Sequence, residues 1–329
     1  MVHVATQEPN DVVQRVRAGE LHGADLATAL RQIPSPVGID LRGARLDGAD
    51  LTGLMLFRAQ LDGASLQGAN LTGVELSGAS LVGAKLERAV LVKAGLGKAN
   101  LSGVDAFEAD FSRATLTGAT LDGGRFQLAN LSDTRVREAS LNGADFRDAD
   151  LRRAELSLSD VPGAIFDQAD LRGARLRAVH GYERASWFGS DIRDINFAGA
   201  YRLRRHVLDE NYLREFREAG PLQAAVYRLW WLTSDCGRSM GRWLANIAVL
   251  VLVFAGLFSI AGVDLGGHAP TASTWIYYSV VTLTSLGYGD ILPTSSVAQW
   301  LVMIEVSVGY MMLGGLISIL ANKMSRRAE

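Results

Sequence analysis

Residues 59–81 read AQLDGASLQGANLTGVELSGASL and repeat a unit of five residues. Leucine fills the central position of each unit, at residues 61, 66, 71, 76 and 81, and a small residue, usually alanine, stands two positions before it. The period continues without an insertion from Ile39 to Arg177. Neither the period of a helix nor that of a strand keeps every fifth residue on one face. Each unit must therefore be a short segment followed by a regular bend.

Central positions occur every five residues from residue 41 to residue 176. Most are leucine, and the others are Ala106, Phe111, Phe126, Val136, Phe146, Val161 and Phe166. The pattern resembles the pentapeptide-repeat family, which implies a right-handed, four-sided β-helix with about twenty residues per coil, hence about seven coils. Phe126, Phe146 and Phe166 would then stack on one face. At the ~4.8 Å spacing of neighbouring strands, seven coils make a rod of roughly 33 Å.

Both ends of the repeat array need a cover, because a solenoid exposes its core at its ends. Residues 11–33 have apolar residues at helical spacing and lead into Pro34 and Pro36, so we predict one or two short capping helices within a cap domain of residues 1–36. After Arg177 the pattern decays, and we predict an irregular closing coil that contains Trp187, Phe188, Ile192 and Phe197. The predicted β-helix domain covers residues 37–200.

Residues 201–240 are predicted to be amphipathic linker helices. Residues 201–219 are highly charged with apolar residues near helical spacing, and Gly220-Pro221 separates them from a segment that ends in Trp230-Trp231. Aromatic pairs of this kind favour the membrane interface. Two readings stay open: a helix lying under the bilayer, or a helix packing on the end of the solenoid.

Two apolar segments near the C-terminus are long enough to cross a membrane. Residues 243–263 carry no charge, and residues 297–321 carry only Glu305. Between them, residues 274–283 form an apolar and aromatic run of the length of a re-entrant helix. Its C-terminal end would direct the negative pole of the helix dipole at a cation. We predict a pore domain over residues 241–323, followed by a basic tail at 324–329.

The heptapeptide Thr284-Ser285-Leu286-Gly287-Tyr288-Gly289-Asp290 follows this re-entrant run. Backbone carbonyls can replace the hydration shell of a cation if the backbone bends so that successive oxygens point inward. Gly287 and Gly289 allow the positive φ values that such a bend needs, and the Thr284 and Ser285 hydroxyls can add oxygens. The heptapeptide is predicted to be an ion selectivity filter, in which non-helical backbone is tolerated because it lines water.

Together these segments resemble the two-helix pore module of bacterial potassium channels, whose signature is Thr-x-Gly-Tyr-Gly-Asp. Here Ser285 stands in place of the signature threonine and Leu286 in place of the usual valine. The resemblance implies that residues 284–289 line the filter and that K⁺ binds the carbonyls of Ser285, Leu286, Gly287 and Tyr288. It also implies a fold class: a multidomain membrane protein with a pentapeptide-repeat solenoid and an all-α, two-span pore.

Three further residues are expected to support the pore. Gly309 lies twenty residues after Gly289, the place of the hinge in the inner helix of the family, although packing is an alternative for any membrane glycine. Glu305 must find partners, and we expect it to bond to Ser279 or Thr282, or to be protonated. Asp290 is expected to bond to Trp275 or Tyr278, because Val281 stands where some family members carry an acidic partner.

Charge predicts the orientation of the pore domain. The loop between the two spans has no lysine or arginine, whereas basic residues precede the first span and follow the second: Arg238, Arg242, Lys323, Arg326 and Arg327. By the positive-inside rule, both termini are cytoplasmic in a multi-pass protein of the cell's inner membrane. No basic voltage-sensing helix is present among the two spans.

Composition excludes several classes of function. A net charge of −2, with balanced charges in the repeats, argues against nucleic-acid binding and against imitation of DNA. The single Cys236 leaves no disulfide framework or metal site, and Met1–Asn10 lacks the features of a signal peptide. No catalytic constellation stands out, so we predict a non-enzyme with no cofactor other than K⁺ in the filter.

One chain supplies a quarter of such a pore, which predicts a homotetramer in a lipid bilayer. The predicted function is passive, potassium-selective conduction, with the cytosolic solenoid serving assembly or gating and open to a cytosolic protein or ligand. The alternatives are a weakly selective cation channel and a membrane-tethered scaffold whose solenoid binds proteins.

Overall fold

The computed structural model describes residues 9–33, 36–195, 200–237 and 239–328. They form two compact units, Met1–Arg214 and Glu215–Glu329. Besides the repeats and one turn of 3₁₀ helix at Tyr182–Arg184, the elements in chain order are α1 (Pro9–Arg17), α2 (Gly23–Gln32), α3 (Tyr201–Glu218), α4 (Pro221–Ser234), α5 (Met240–Phe258), β1 (Val263–Asp264), α6 (Ala272–Leu283), β2 (Leu292–Pro293) and α7 (Ser296–Ala328).

The repeats form a β-helix in which each coil lies on the coil twenty residues further along the chain. Isolated parallel bridges pair residues at this spacing, from Asp40 with Gln60 to Asp160 with His180. Backbone hydrogen bonds hold neighbouring coils together, as where the Leu41 N–H donates to the Gln60 carbonyl at 2.7 Å. Seven steps of twenty residues separate Asp40 from His180, in agreement with the predicted seven coils.

The core of the β-helix is the column of central residues. Leucines at these positions are 2% exposed or less. The rings of Phe126 and Phe146 stack at 5.0 Å, and those of Phe146 and Phe166 at 5.2 Å, which confirms the predicted stack. Trp187 continues it at 4.4 Å from Phe166. This tryptophan follows one residue later than the period requires, because the 3₁₀ turn at Tyr182–Arg184 lengthens the last coil.

Helices α1 and α2 cover the first coil. Val12, Leu26 and Leu30 are buried in the same cluster as the repeat core. The Arg31 guanidinium donates to a backbone carbonyl of the coil beneath, that of Asp50, at 3.1 Å. Of the two prolines expected to end this segment, Pro34 lies outside the described residues.

Helix α3 covers the opposite end of the β-helix. Its Leu203 and Val207 belong to the solenoid core, and its Asn211 side chain accepts a hydrogen bond from the Gly189 N–H at 2.9 Å. The predicted irregular closing coil lies beneath it, although Phe197 falls outside the described residues. For α3, the structure therefore selects packing on the solenoid over the position under the bilayer. The division at Arg214 also falls inside the predicted linker, since the start of α3 belongs to the solenoid unit.

Helix α4 differs from α3, because its apolar side chains are exposed. Leu222 is 73% and Leu229 63% exposed, and the Asn246 side chain at the start of α5 donates to the Thr233 carbonyl at 3.0 Å. A position of α4 at the membrane interface stays a prediction.

A ladder of ion pairs runs along one face of the last coils. Asp170 pairs with Arg172 at 2.6 Å and Asp191 with Arg193 at 2.5 Å, while Arg172 also lies 3.6 Å from Asp191 of the next coil. The Arg172 guanidinium holds the pKa of Asp170 below its usual value. Hydrogen bonding to Arg193 lowers the pKa of Asp191 to about 2.

This ladder predicts how the solenoid responds to acid. Because the folded-state pKa values are depressed, the pairs stabilise the fold fully above the unfolded pKa of ~3.9, and the contribution is lost as pH falls towards ~2. We expect Arg172→Gln to lower the midpoint of thermal unfolding at neutral pH. The midpoint of this variant should also fall less than that of the parent as the pH is lowered. Thermal unfolding followed by circular dichroism across this pH range tests both expectations, with Arg177→Gln, a change at an exposed arginine, as the control. Equal pH profiles of the two variants would contradict the prediction.

The second unit contains two helices that are long and apolar enough to cross a membrane. They are Met240–Phe258 and Ser296–Ala321, with mean hydropathies of 1.9 and 1.8. Helix α5 ends five residues before the predicted end of the first span, because the chain turns at Gly262 (φ 77°) and enters β1. Strand β1 pairs antiparallel with β2, with Val263 opposite Pro293.

Helix α6 packs between the two long helices. The Tyr278 ring meets the Phe258 ring edge-on at 4.7 Å, in a small core that also contains Phe254 and Ile291. At the other end of α5, the Trp243 indole N–H donates to the Met312 carbonyl of α7 at 2.8 Å. These contacts hold α6 and the heptapeptide that follows it between α5 and α7.

Candidate functional site

The backbone after α6 alternates in handedness. Ser285, Gly287 and Gly289 have φ values of 56°, 53° and 75°, whereas Leu286 and Tyr288 do not have positive φ. In an extended strand successive carbonyls point in opposite directions, and alternation of left- and right-handed residues can bring them to one side. The two glycines adopt the predicted conformation. Ser285 does so without being glycine, which the sequence did not signal.

Helix α6 ends directly at this segment. It begins after Thr271, whose hydroxyl accepts a hydrogen bond from the Thr274 N–H at 3.3 Å. It ends at Leu283, and the Thr284 hydroxyl bonds back to the Val280 carbonyl at 2.7 Å. The carbonyl end of α6, which carries the negative pole of its dipole, therefore immediately precedes Ser285.

The heptapeptide leaves large side chains uncovered by its own chain. Leu286 is 56% and Tyr288 65% exposed. A cavity of about 370 Å³ lies beside the segment, with Tyr288, Val302 and Val306 among its lining residues. Exposed apolar side chains next to an open cavity are typical of a surface that another molecule covers.

Asp290, at the end of the heptapeptide, is held by α6. The Tyr277 hydroxyl donates to its Oδ2 at 2.7 Å, and the His268 Nε2 lies 3.5 Å from the same oxygen. The expectation of Trp275 or Tyr278 as the partner is wrong. Successive helical residues point about 100° apart, and Tyr278 is directed to the core beside Phe258.

Glu305 is buried against α6. The residue is 0% exposed, and the Ser279 hydroxyl donates to its Oε1. Its Oε2 has no hydrogen-bond partner among the described residues. Of the two hydroxyls proposed from the sequence, the structure selects Ser279 rather than Thr282.

Removing the Ser279 hydroxyl should destabilise the pore unit. Ser279→Ala leaves a buried carboxyl group without its donor, at a cost of ~1–3 kcal/mol. Replacing both partners, in Ser279→Ala with Glu305→Met, should cost less than the sum of the single changes. Thermal unfolding of the purified protein in detergent measures both. Ser307→Ala is the control, because Ser307 is exposed and its hydroxyl bonds only to its own helix among the described residues. If Ser279→Ala lowers the stability no more than Ser307→Ala does, the hydrogen bond to Glu305 is not stabilising.

Gly309 brings α7 against the end of α6. A Cβ at this position would overlap the Leu283 carbonyl, whereas a Cβ at Gly314 would meet nothing within 4 Å. At Gly315 it would overlap the Trp243 ring. Helix α7 is continuous from Ser296 to Ala328. The geometry therefore gives Gly309 a packing role in this structure, the alternative that the sequence left open.

These glycines make a matched pair of substitutions. Gly309→Ala forces α7 away from α6 and should lower stability by ~1–3 kcal/mol, the usual cost of overpacking. Gly314→Ala adds a better helix former in open space and should not lower it. Thermal unfolding compares the two. Loss of equal size in both variants would contradict the contact with Leu283 as the reason for glycine at position 309.

Comparisons with known proteins agree with this architecture. Residues 246–326 match the family described as Ion channel, and repeats within residues 37–177 match the family described as Pentapeptide repeats in 8 copies. The chain therefore carries an ion-channel domain after a pentapeptide-repeat domain, and neither family is a family of enzymes. With its two apolar helices, the ion-channel domain makes this a membrane protein.

Two curated potassium-channel proteins are similar to part of the chain. Two-pore potassium channel 1 of Arabidopsis thaliana is 27% identical over 97 residues, which are 29% of this chain and 27% of that protein. The voltage-gated potassium channel regulatory subunit KCNG2 of Rattus norvegicus is 28% identical over 95 residues, 28% of this chain and 19% of that protein. The match thus spans about a quarter or less of the length of these relatives.

Two solved structures are similar to part of this chain. Trypsin-treated QnrB1, a plasmid-mediated fluoroquinolone resistance protein, is 18% identical, with a TM-score of 0.44, over 53% of this chain and 93% of that one. HetL, from the cyanobacterium Nostoc, is 25% identical, with a TM-score of 0.32, over 54% of this chain and 96% of that one.

Proposed function

We propose that this chain, with its ion-channel and pentapeptide-repeat domains, forms a homotetrameric channel that conducts K⁺ passively and selectively across the inner membrane. The observation that carries the proposal is the alternating backbone of residues 285–289, placed at the carbonyl end of α6 and between two apolar helices. The similarity to potassium channels supports K⁺ as the ion.

Conduction needs no chemistry beyond the substitution of oxygens for water. The carbonyls of Ser285, Leu286, Gly287 and Tyr288 replace the hydration shell, and the Thr284 hydroxyl adds an oxygen at the inner end of the filter. The negative pole of α6 stabilises a cation that has lost water. Repulsion between ions at neighbouring sites lets each ion leave a site that binds it well.

Assembly of four chains supplies what one chain lacks. Leu286 and Tyr288 are the large exposed side chains that a neighbouring chain would cover, and the cavity that Tyr288 lines offers the space. A fourfold axis would then bring four copies of the filter backbone around one path. Asp290 supports the filter through Tyr277 of α6, and Glu305 of α7 supports it through Ser279. The inner helices open by bending near Gly309, and this movement separates α7 from the end of α6.

Basic residues at both ends of the pore domain favour cytoplasmic termini, with the solenoid in the cytosol. A rod built from coils that contact only their neighbours is suited to assembly, or to passing a signal from a bound cytosolic protein or ligand to the pore. No nucleic acid is part of the proposal, because the charges are balanced.

A weakly selective cation channel is a second candidate. The observation that favours it is Ser285, which adopts a positive φ of 56° that a side-chain-bearing residue rarely takes. A less rigid filter at this position would discriminate less between K⁺ and Na⁺. If no flux occurs, the remaining candidate is a membrane-tethered scaffold that does not conduct ions.

Flux measurements in liposomes test the proposal. The purified full chain, shown to be a tetramer by native mass spectrometry, should pass K⁺ and exclude Na⁺. A shortened chain that begins at Ser239 tests the solenoid, because altered flux or loss of the tetramer would assign it gating or assembly. Equal K⁺ and Na⁺ fluxes would favour the weakly selective channel. No flux from a verified tetramer would favour the scaffold.

A further inference from the structure

The loop between α5 and α6 is attached to the segment that follows the filter. Strand β1 pairs with β2, and the Thr294 hydroxyl donates to the Gly262 carbonyl at 3.0 Å. The Ser295 hydroxyl donates to the Ala261 carbonyl. Leu265 packs on the core cluster that contains Ile291. The loop is therefore a built part of the pore unit and not a free connection.

Within this loop, Gly266 lies against the end of the filter. A Cβ on Gly266 would overlap the Asp290 carbonyl, so only glycine fits there. The neighbouring Gly267 also has positive φ, 93°, yet a Cβ on it would meet nothing within 4 Å. The Asp264 carboxylate fixes this turn by accepting from the Gly266 N–H at 3.1 Å.

Asp290 is thus enclosed from two sides. Tyr277 of α6 donates to its Oδ2 on one side, and on the other the loop places Gly266 against its carbonyl and His268 Nε2 3.5 Å from its carboxylate. The His268 and Tyr277 rings also lie close, at 6.4 Å between centroids. Tyr277 and the loop therefore both restrict Asp290, although its side chain remains 32% exposed.

We propose that the loop Gly262–His268 positions the end of the filter, with Gly266 and His268 as positioning residues that hold Asp290 against α6. The inference rests on the proposed channel function, since its consequence is the geometry of the last carbonyls of the filter. A loosened loop lets Asp290 leave Tyr277, and the filter then loses its conducting shape during sustained current.

His268 is the loop residue whose side chain lies 3.5 Å from the Asp290 carboxylate. No lysine or arginine lies between residues 243 and 322, so no basic side chain of these types within that range competes for this carboxylate.

A matched pair of variants of the full chain tests the role of Gly266. In planar bilayers, Gly266→Ala should speed the decay of potassium current by at least about fivefold and lower the K⁺ to Na⁺ permeability ratio. Gly267→Ala also places a side chain at a positive φ, but without the overlap on Asp290, so its current should decay at a rate much closer to that of the parent. His268→Ala should also speed the decay, because it removes the ring beside the Asp290 carboxylate. Equal decay in the two glycine variants, or parental decay in His268→Ala, would overturn the proposal.

A second measurement does not depend on conduction. In a double-mutant cycle on thermal stability, His268→Ala and Asp290→Asn should together cost less than the sum of the single changes. Additive effects would overturn the contact even if the channel conducts. Coupling in a protein that passes no ions would uphold the contact while refuting the channel function.

Discussion

Gly287→Ala is expected to abolish selective potassium flux in reconstituted liposomes. Gly287 has a φ of 53°, and an L-residue with a Cβ pays roughly 1–2 kcal/mol for that conformation. In a tetramer, all four chains that line the ion path would carry this strain. The backbone relaxes by turning carbonyls away from the axis, and we expect flux to fall by a factor of about a hundred or more.

The control for this variant is Gly83→Ala. Gly83 has a φ of 62° and open space around its Cβ position, as Gly287 does, but it lies in a repeat turn of the solenoid. The Gly83→Ala variant should be slightly less stable than the parent and should conduct K⁺ as the parent does. Selective flux that survives in Gly287→Ala would mean that this backbone does not coordinate the ion.

Phe146→Ala is expected to have the largest effect on the stability of the solenoid. The ring stacks between those of Phe126 and Phe166 and is fully buried, so its removal leaves a cavity in a column that has no freedom to collapse. Substitutions of this kind cost ~3–5 kcal/mol. Unfolding of the full chain, followed by circular dichroism, should show the loss as a lower midpoint.

Phe107→Ala is the matched control. Phe107 lies on the outer face, where the Arg125 guanidinium covers its ring at 4.7 Å. A cation–π contact at such a site contributes about 0.5–1 kcal/mol, so this variant should unfold close to the parent. A Phe146→Ala variant as stable as Phe107→Ala would contradict the stacked core.

The solenoid could be predicted from the sequence because its rule is local. Each central residue lies five positions after the last, and the stack of Phe126, Phe146 and Phe166 follows from a coil of twenty residues. Trp187 could not be placed in that stack, because a single 3₁₀ turn shifts the spacing by one residue. The position of α3 was left open, since its apolar residues suit a membrane surface as well as the end of the solenoid.

In the pore domain, prediction succeeded where a backbone geometry strongly favours one residue type. Gly287 and Gly289 are of this kind, whereas the positive φ of Ser285 comes from the surrounding fold. The predicted partner of Asp290 was wrong because a shift of one residue turns the direction around α6 by about 100°, and the sequence does not say whether Tyr277 or Tyr278 faces the filter. The two-residue strands β1 and β2 have no periodic pattern, so the loop that encloses Asp290 could not be foreseen.

The most direct test of potassium-selective conduction is the reversal potential of the full-chain tetramer in a planar bilayer. One side of the membrane contains K⁺ and the other side contains an equal concentration of Na⁺, so the two gradients are equal and opposite. A potassium-selective pore should give a reversal potential displaced far in the direction that opposes the movement of K⁺. A robust current that reverses at zero voltage would contradict it.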